Sequence, residues 1–259
     1  MPVQTTEAIV IKSQSLGEVD KIICFYTSDF GKVRAVAKGI KRPKNRYGGS
    51  LDLLNYGALV FFFRPHKDLQ IINSFDILDS FNTLKDDLTK TAYAFYIAEL
   101  LDTTGAEGKV NNAAFQLTLQ ALSSMNDINH PELLVHAYSL QLLKLMGFRP
   151  QLQTCVGCSG DISGNNPLTP FIKRETFRFS PMLGGMLCSK CFYKDASALS
   201  ISPGAYELMK RMQTIDLALV KRFSASDTVK HELKKNLSKF ISFQLERQFK
   251  SLEFIDNIS

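Results

Sequence analysis

Over residues 1–80 apolar and polar positions alternate, which places every second side chain on one face in the manner of a half-buried β-strand. The alternation predicts strands at about 7–13, 21–27, 32–38, 58–64 and 70–78, with turns at 15–17, 29–31 and 64–68. Five short strands with no long helix among them predict a small closed barrel. The five-stranded OB-fold is the architecture that fits.

The period changes after residue 82. In TLKDDLTKTAYAFYIAELLD, Leu84, Leu88, Tyr93, Ile97, Leu100 and Leu101 recur at the spacing of one helix face, and NNAAFQLTLQALSSM predicts a second helix. A third starts at His130-Pro131-Glu132, where Pro suits the first helical position, and stops at Gly147. Residues 148–200 lose periodicity and fill with Gly, Asn, Ser and Pro, the composition of loops. Helix resumes at Ser202-Pro203-Gly204, with Ser as N-cap, and a longer helix is expected over 227–249. The expected fold is α+β and multidomain. An OB-fold barrel occupies 1–80, an all-helical domain comes in two parts at 81–150 and 201–259, and a module at 151–200 is inserted between them.

Four of the five cysteines account for that module. Cys155 with Cys158 and Cys188 with Cys191 form two CxxC pairs, twenty-nine residues apart. In a chain without a secretory signal such pairs point to a metal rather than to disulfides. Four thiolates suit tetrahedral zinc and leave no open position for water, so one structural zinc ion is expected. FIKRETFRFS, between the pairs, is expected to supply strands, and Lys173, Arg174, Arg178, Lys190 and Lys194 to offset the thiolate charge. Cys24, in the apolar run IICFY, reads as an inert buried thiol.

Catalysis has no evident seat. His130 and Glu132 with Cys155 and Cys158 mimic the HxE and PCxxC elements of zinc deaminases, but Thr154 stands where that motif has Pro and the second CxxC would have no task. There is no Walker loop, GxGxxG or GxSxG, and His231-Glu232 lacks the second His of a zinc protease. No catalytic residue is assigned.

Composition narrows the class further. With 45% hydrophobic residues, nineteen Phe and no Trp, the 259-residue chain is expected to fold around packed cores. No run approaches eighteen apolar residues and MPVQTTEAIVIK lacks the features of a signal peptide, so a cytoplasmic protein without a membrane partner is expected. The net charge is +6 and the pI about 9.0, a modest bias toward polyanions. Cations outnumber acids everywhere except in 81–150.

That excess is concentrated in KVRAVAKGIKRPKNRYGG. On the third predicted strand Lys32, Arg34 and Lys38 share one face while Val33, Ala35 and Ala37 share the other, so the cations face out of the barrel. The loop that follows carries Lys41, Arg42, Lys44 and Arg46 with Tyr47 beside them, and no acid interrupts the run. Cations that follow phosphates, next to a ring that stacks on a base, are the composition of a groove for single-stranded nucleic acid. A solvated charge run is the plainer alternative.

The stretch from Ala37 to Arg46, AKGIKRPKNR, together with MGFRP at 146–150, the first CxxC, and Gly184-Gly185-Met186-Leu187-Cys188-Ser189-Lys190-Cys191 resembles the RecO family of bacterial recombination mediators over essentially the whole chain. The resemblance implies an OB domain, a helical domain and an inserted zinc module. It also implies binding of single- and double-stranded DNA, annealing of complementary strands, and action with RecR to help RecA replace single-strand-binding protein, in the cytoplasm at the nucleoid. Lys210, Arg211, Lys234, Lys235 and Lys239 either add DNA contacts or form a solvated helix face. For the acidic, Phe-ended tail of single-strand-binding protein, His136 and Lys144 on the 131–146 helix are the expected pocket residues. An RNA-binding OB adaptor that uses zinc as a staple is the competing reading, with a deaminase-like enzyme behind it.

Overall fold

The computed structural model describes residues 2–162 and 177–258. Strands β1 (Val3–Leu16), β2 (Asp20–Thr27), β3 (Gly31–Ala37), β4 (Tyr56–Phe62) and β5 (Gln70–Asp79) close a barrel in the order β1-β2-β3-β5-β4. All neighbours are antiparallel except β3 with β5, an OB-like arrangement. The five strands contribute Val10, Phe25, Ala35, Phe61 and Ile72, among others, to one core. On β3 the alternation holds: Val33, Ala35 and Ala37 are buried inside, and Lys32, Arg34 and Val36 lie half-buried outside.

Strand β1 outruns its expected limits because it pairs with β2 along one edge and β4 along the other. A register shift between Val10 and Lys12 frees Val10 to exchange 2.9 Å backbone bonds with Leu54 and Asn55. The segment between β3 and β4 consequently folds back on the barrel, burying Tyr47, Leu51 and Leu54. At Gly31 (φ +63°) a Cβ would stand 2.2 Å from the Lys109 carbonyl oxygen. Only glycine lets the strap at 107–109 approach β3 this closely, where Glu107 bridges Gly31 and Lys32.

The helices are α1 (Asn82–Lys85), α2 (Leu88–Thr104), α3 (Asn112–Met125), α4 (Pro131–Leu145), α5 (Pro203–Met212), α6 (Asp227–Gln244) and α7 (Lys250–Ile258). Asp87, accepting from the Lys90 N–H at 3.0 Å, caps α2 and divides the run expected to start at 83. Contacts divide the chain into two compact units, residues 1–126 with 250–259 and residues 127–249, so α1, α2, α3 and α7 cluster with the barrel. In this first unit Glu99 of α2 accepts from the backbone N–H groups of Lys250 (3.3 Å) and Ser251 (3.0 Å) and from the Ser251 hydroxyl (2.6 Å), so a carboxylate closes the N-terminus of α7.

The second unit holds α4, α5 and α6 with a small sheet of β6 (Arg178–Ser180), β7 (Gly185–Leu187) and β8 (Leu199–Ser200) in the order β7-β6-β8. Phe179 of β6 meets Phe240 of α6 edge to face at 5.6 Å, fastening sheet to helix. Of FIKRETFRFS only the end at 177–180 is described; 171–176, with Lys173 and Arg174, lie outside the described residues.

The helix expected to run to residue 249 stops at Gln244. Glu246 adopts φ +49°, the Arg247 N–H donates to the Ser242 carbonyl at 3.1 Å and the Glu246 N–H to that of Phe243 at 3.3 Å. This is a Schellman cap with glutamate where glycine is usual. The end of α4 is built the same way, with Gly147 at φ +89°. Among the described residues no helix is long and apolar enough to cross a membrane.

Candidate metal centre and nucleic-acid interface

The four cysteines of the two CxxC pairs converge in the second unit. Their sulfurs all lie within 4.8 Å of one another, and Cys158 Sγ to Cys188 Sγ is 3.8 Å. A tetrahedron with metal–sulfur distances of about 2.3 Å has edges of about 3.8 Å, so the cluster could hold one ion. Local backbone makes the convergence possible. The Cys155 N–H donates to the Gly160 carbonyl at 2.8 Å and the Ser159 N–H to that of Cys155 at 2.8 Å, closing the first turn, while the Val156 N–H bonds to Met186 of β7 at 2.9 Å. A Cβ on Gly157 would stand 2.8 Å from Cys191 Cβ, so the first turn passes the second only because this residue has no side chain.

Electrostatics favour a thiolate at one corner. Burial pushes the Cys155 thiol up, but backbone N–H donors, led by Cys188 and Gly157 at 3.3 Å each, outweigh it and bring the group down to about 7. Burial and the neighbouring sulfurs push Cys191 up to about 12. Protons shared among four close sulfurs are what a cation displaces. Lys194 donates to the Gly157 carbonyl and braces the first turn from the second.

His130 and Glu132 do not join this group. Lys230 Nζ lies 3.2 Å from His130 Nδ1 and 3.1 Å from a Glu132 oxygen, so both belong to an ion-paired cluster at the start of α4. The ligand set that a deaminase-like site needs is therefore not assembled, and all four cysteines are used together instead.

In the first unit the eight expected nucleic-acid residues divide. Lys38, Lys41, Arg42 and Lys44 are exposed, and among the described residues none of them pairs with a carboxylate. Their loop is anchored on the β1–β2 turn: the Gly39 N–H donates to Asp20 Oδ1 at 2.7 Å, the Lys41 N–H to the Val19 carbonyl at 3.0 Å, and Lys41 Nζ to the Gly17 carbonyl at 3.1 Å. The other four are engaged within the protein. Lys32, its side chain 15% exposed, lies 3.1 Å from Asp102 Oδ1, and Arg34 lies 3.5 Å from Glu107. Arg46 donates to the Tyr47 hydroxyl (2.6 Å) and the Ile72 carbonyl (2.8 Å) with its guanidinium 4.8 Å from the Tyr47 ring centre. Tyr47 itself is 6% exposed and packs in the barrel core, so its ring offers no face to a base. The sequence pattern gave no sign of this, because aromatic side chains next to a basic loop read alike whether they point in or out.

The remaining candidates sit in the second unit. Lys210 pairs with Glu207 at 3.1 Å and lies 5.2 Å from the Tyr206 ring centre, whereas Arg211, Lys235 and Lys239 are exposed and Lys234 is half-buried. His136 and Lys144 are separated by two turns of α4, roughly 12 Å along its axis. Burial, with Lys234 adding to it, pushes His136 down to about 4, so a charged His136 is disfavoured. Neither residue lines the open concavity of about 620 Å³ in this unit, whose walls include Pro181, Met182, Lys239, Phe243 and Arg247.

Comparison with known proteins agrees with both halves. Residues 1–81 match the family model described as Recombination protein O N terminal, and residues 85–253 match Recombination protein O C terminal. The chain is 34% identical over 259 residues to the DNA repair protein RecO of Symbiobacterium thermophilum, covering all of this chain and 98% of the relative. It is 32% identical over 256 residues to that of Roseiflexus sp., covering 99% and 86%. With the Acetivibrio thermocellus protein of the same name it shares 30% over 254 residues, covering 98% and 96%. An OB-like barrel, a helical region with a four-cysteine cluster, and matches along nearly the full chain place this protein in the RecO family of DNA repair proteins.

Proposed function

We propose that this chain is a recombination mediator without catalytic turnover. It binds single- and double-stranded DNA, anneals complementary strands and, with RecR, helps load RecA onto DNA coated by single-strand-binding protein, in the cytoplasm at the nucleoid. The observation that carries the reading is the set of exposed cations Lys38, Lys41, Arg42 and Lys44 on the loop leaving β3, none of which pairs with a carboxylate among the described residues. These amines and the guanidinium reduce the repulsion between two phosphate backbones, which lets complementary strands approach and pair. Arg211, Lys235 and Lys239 add secondary contacts from the second unit.

The metal is a single structural zinc ion held by Cys155, Cys158, Cys188 and Cys191. Four thiolates favour zinc over harder cations, and a closed shell organises the loop-rich module without activating water. For the acidic tail of single-strand-binding protein, the concavity with exposed Met182 and Phe243 and the cations Lys239 and Arg247 offers better chemistry than His136 and Lys144.

The test is annealing of complementary oligonucleotides, bare and coated with single-strand-binding protein, by wild type and by the triple variant Lys41→Ala, Arg42→Ala, Lys44→Ala. Wild type anneals in both settings, and the variant binds a single strand more weakly with a log–log salt slope flatter by about 2, at roughly 0.7 per lost phosphate contact. Unchanged binding and slope would move the site off this loop. Strand binding without annealing would favour the RNA adaptor.

A further inference from the structure

The second basic feature of the barrel lies in the turn between β4 and β5, which carries Arg64, His66 and Lys67. It forms one wall of a cleft of about 490 Å³, a size typical of small-ligand sites, roughly 300–1,000 Å³. The floor is apolar, from Val33 of β3 and the rings of Phe30, Phe61 and Phe63. Phe61 is buried, with Phe30 edge-on against it at 5.5 Å, while Phe63 is only partly buried and lines the opening. The strap at 107–110 forms the opposite wall.

This turn is braced rather than loose. Gln70, 8% exposed, accepts from the Arg64 N–H at 2.7 Å and donates to the Lys67 carbonyl at 2.7 Å. His66 is held at φ +62°, a conformation side chains seldom adopt unless surrounding bonds impose it. The Arg64 guanidinium donates through one terminal nitrogen to the Leu69 carbonyl while its buried Nε has no hydrogen-bond partner, and neither Arg64 nor Lys67 pairs with a carboxylate among the described residues.

The charge balance selects the ligand. Acids line the cleft too, but Glu107 is taken up by Arg34 at 3.5 Å and Asp29 by the Thr6 and Ser28 hydroxyls at 2.6 Å each. What remains is a ring-lined floor with Arg64 and Lys67 against the one further carboxylate of Asp68, a net excess of a single positive charge that is unsuited to a run of phosphates and suited to one flat aromatic group carrying one phosphate. From these features we infer that the cleft takes one nucleotide of a single strand, with its base against Phe63 and its phosphate at Arg64 and Lys67. The cleft opens at the Lys32 end of β3 and the basic loop leaves at the Ala37 end, so a strand lying along β3 meets both. This inference rests on the DNA-binding reading above and supplies the base-stacking ring that Tyr47 does not.

The test compares a short oligothymidine with a backbone of equal length made of abasic units, by fluorescence anisotropy on the full chain. Wild type prefers the oligothymidine by roughly 5- to 100-fold, the equivalent of one stacked base. Phe63→Leu, which keeps apolar bulk without a π face, and Phe63→Ala both collapse that preference while leaving the salt slope set by the basic loop unchanged. An oligonucleotide carrying 5-iodouracil cross-links to Phe63, read by mass spectrometry of the peptide spanning 61–70. A preference that survives both substitutions, or no preference in wild type, overturns the cleft assignment and leaves the basic loop standing. Loss of protein-partner capture by the Phe63 variants with the base preference intact overturns it in favour of a protein contact. If wild type binds neither polymer, the DNA-binding reading falls as well.

Discussion

Lys32 Nζ stands 3.1 Å from Asp102 Oδ1 and 2.8 Å from the Asp102 backbone carbonyl, so the first cation of the basic strand is bound to the C-terminal turns of α2. Lys12 reaches the other carboxylate oxygen at 3.0 Å, and Cys24 Sγ lies 3.8 Å from Oδ1. A carboxylate 12% exposed between two ammonium groups is a fastening between barrel and helix. Removing Lys32 leaves Asp102 with Lys12 alone, so the cost stays below the roughly 3–5 kcal/mol of a buried pair broken outright. Lys32→Ala is expected to lower stability by about 2–3 kcal/mol in urea unfolding, and to leave the salt slope of DNA binding unchanged.

The same group sets an acid limit. Burial pushes Asp102 up, but Lys12 and Lys32 outweigh it and hold the carboxyl below its usual range. A depressed folded value means that the stabilisation is present above the unfolded value, about 3.9, and is lost as pH falls through the folded one. Unfolding free energy followed downward from pH 5 should therefore drop in wild type. In Asp102→Asn the drop should be shallower, from a lower starting value.

Removing the metal ligands tests the cysteine cluster. Cys188→Ser with Cys191→Ser is expected to abolish the bound ion, measured by elemental analysis, and to loosen the β6–β8 sheet, seen as lost near-ultraviolet dichroism and new proteolytic cleavage within 151–200. Ion binding contributes on the order of 10 kcal/mol to such modules, so the loss should be large. Gly157→Ala should weaken the site without deleting a ligand, because its Cβ would stand 2.8 Å from that of Cys191.

Arg46 separates packing from DNA contact. Its guanidinium donates to the Tyr47 hydroxyl and the Ile72 carbonyl, and without it those two groups keep only their own 3.5 Å contact, so the loss costs about 1 kcal/mol. Arg46→Ala is expected to lower the melting temperature while changing the salt slope less than Arg42→Ala, because Arg46, although also exposed, has its guanidinium engaged by Tyr47 and Ile72.

Glu246 holds a conformation that costs a non-glycine residue about 1–2 kcal/mol, and glycine returns part of that gain through greater freedom in the unfolded chain. Glu246→Gly should raise stability by about 0.5–1 kcal/mol, measured by denaturant titration. A destabilised variant would mean that the glutamate side chain makes up for its backbone strain.

The two ends of α4 and α6 explain what was legible in the chain. Gly147 announced its helix stop because glycine is the residue that pattern expects, whereas Glu246 makes the same cap with a residue that favours helix, and the expected helix ran on to residue 249. The barrel was legible because alternation and tight turns are local, and the cysteine cluster because CxxC spacing is itself geometric. Burial of Tyr47 and the pairing of Lys32 were not. Both depend on partners far along the chain, Ile72 and Asp102, that no local period encodes. The turn at 64–68 was recognised as a turn, but its cations acquire a shared cleft only through the strap at 107–110.

The Glu99 clasp on α7 has a consequence for the order of synthesis. The barrel and its companion helices emerge from the ribosome first, yet the helix whose amino end Glu99 receives is encoded after all of residues 127–249. The nascent first unit must wait, with one flank of α2 bare, while the whole second unit is translated. A stop codon placed just after Phe249 would thus injure the half of the molecule that was made earliest.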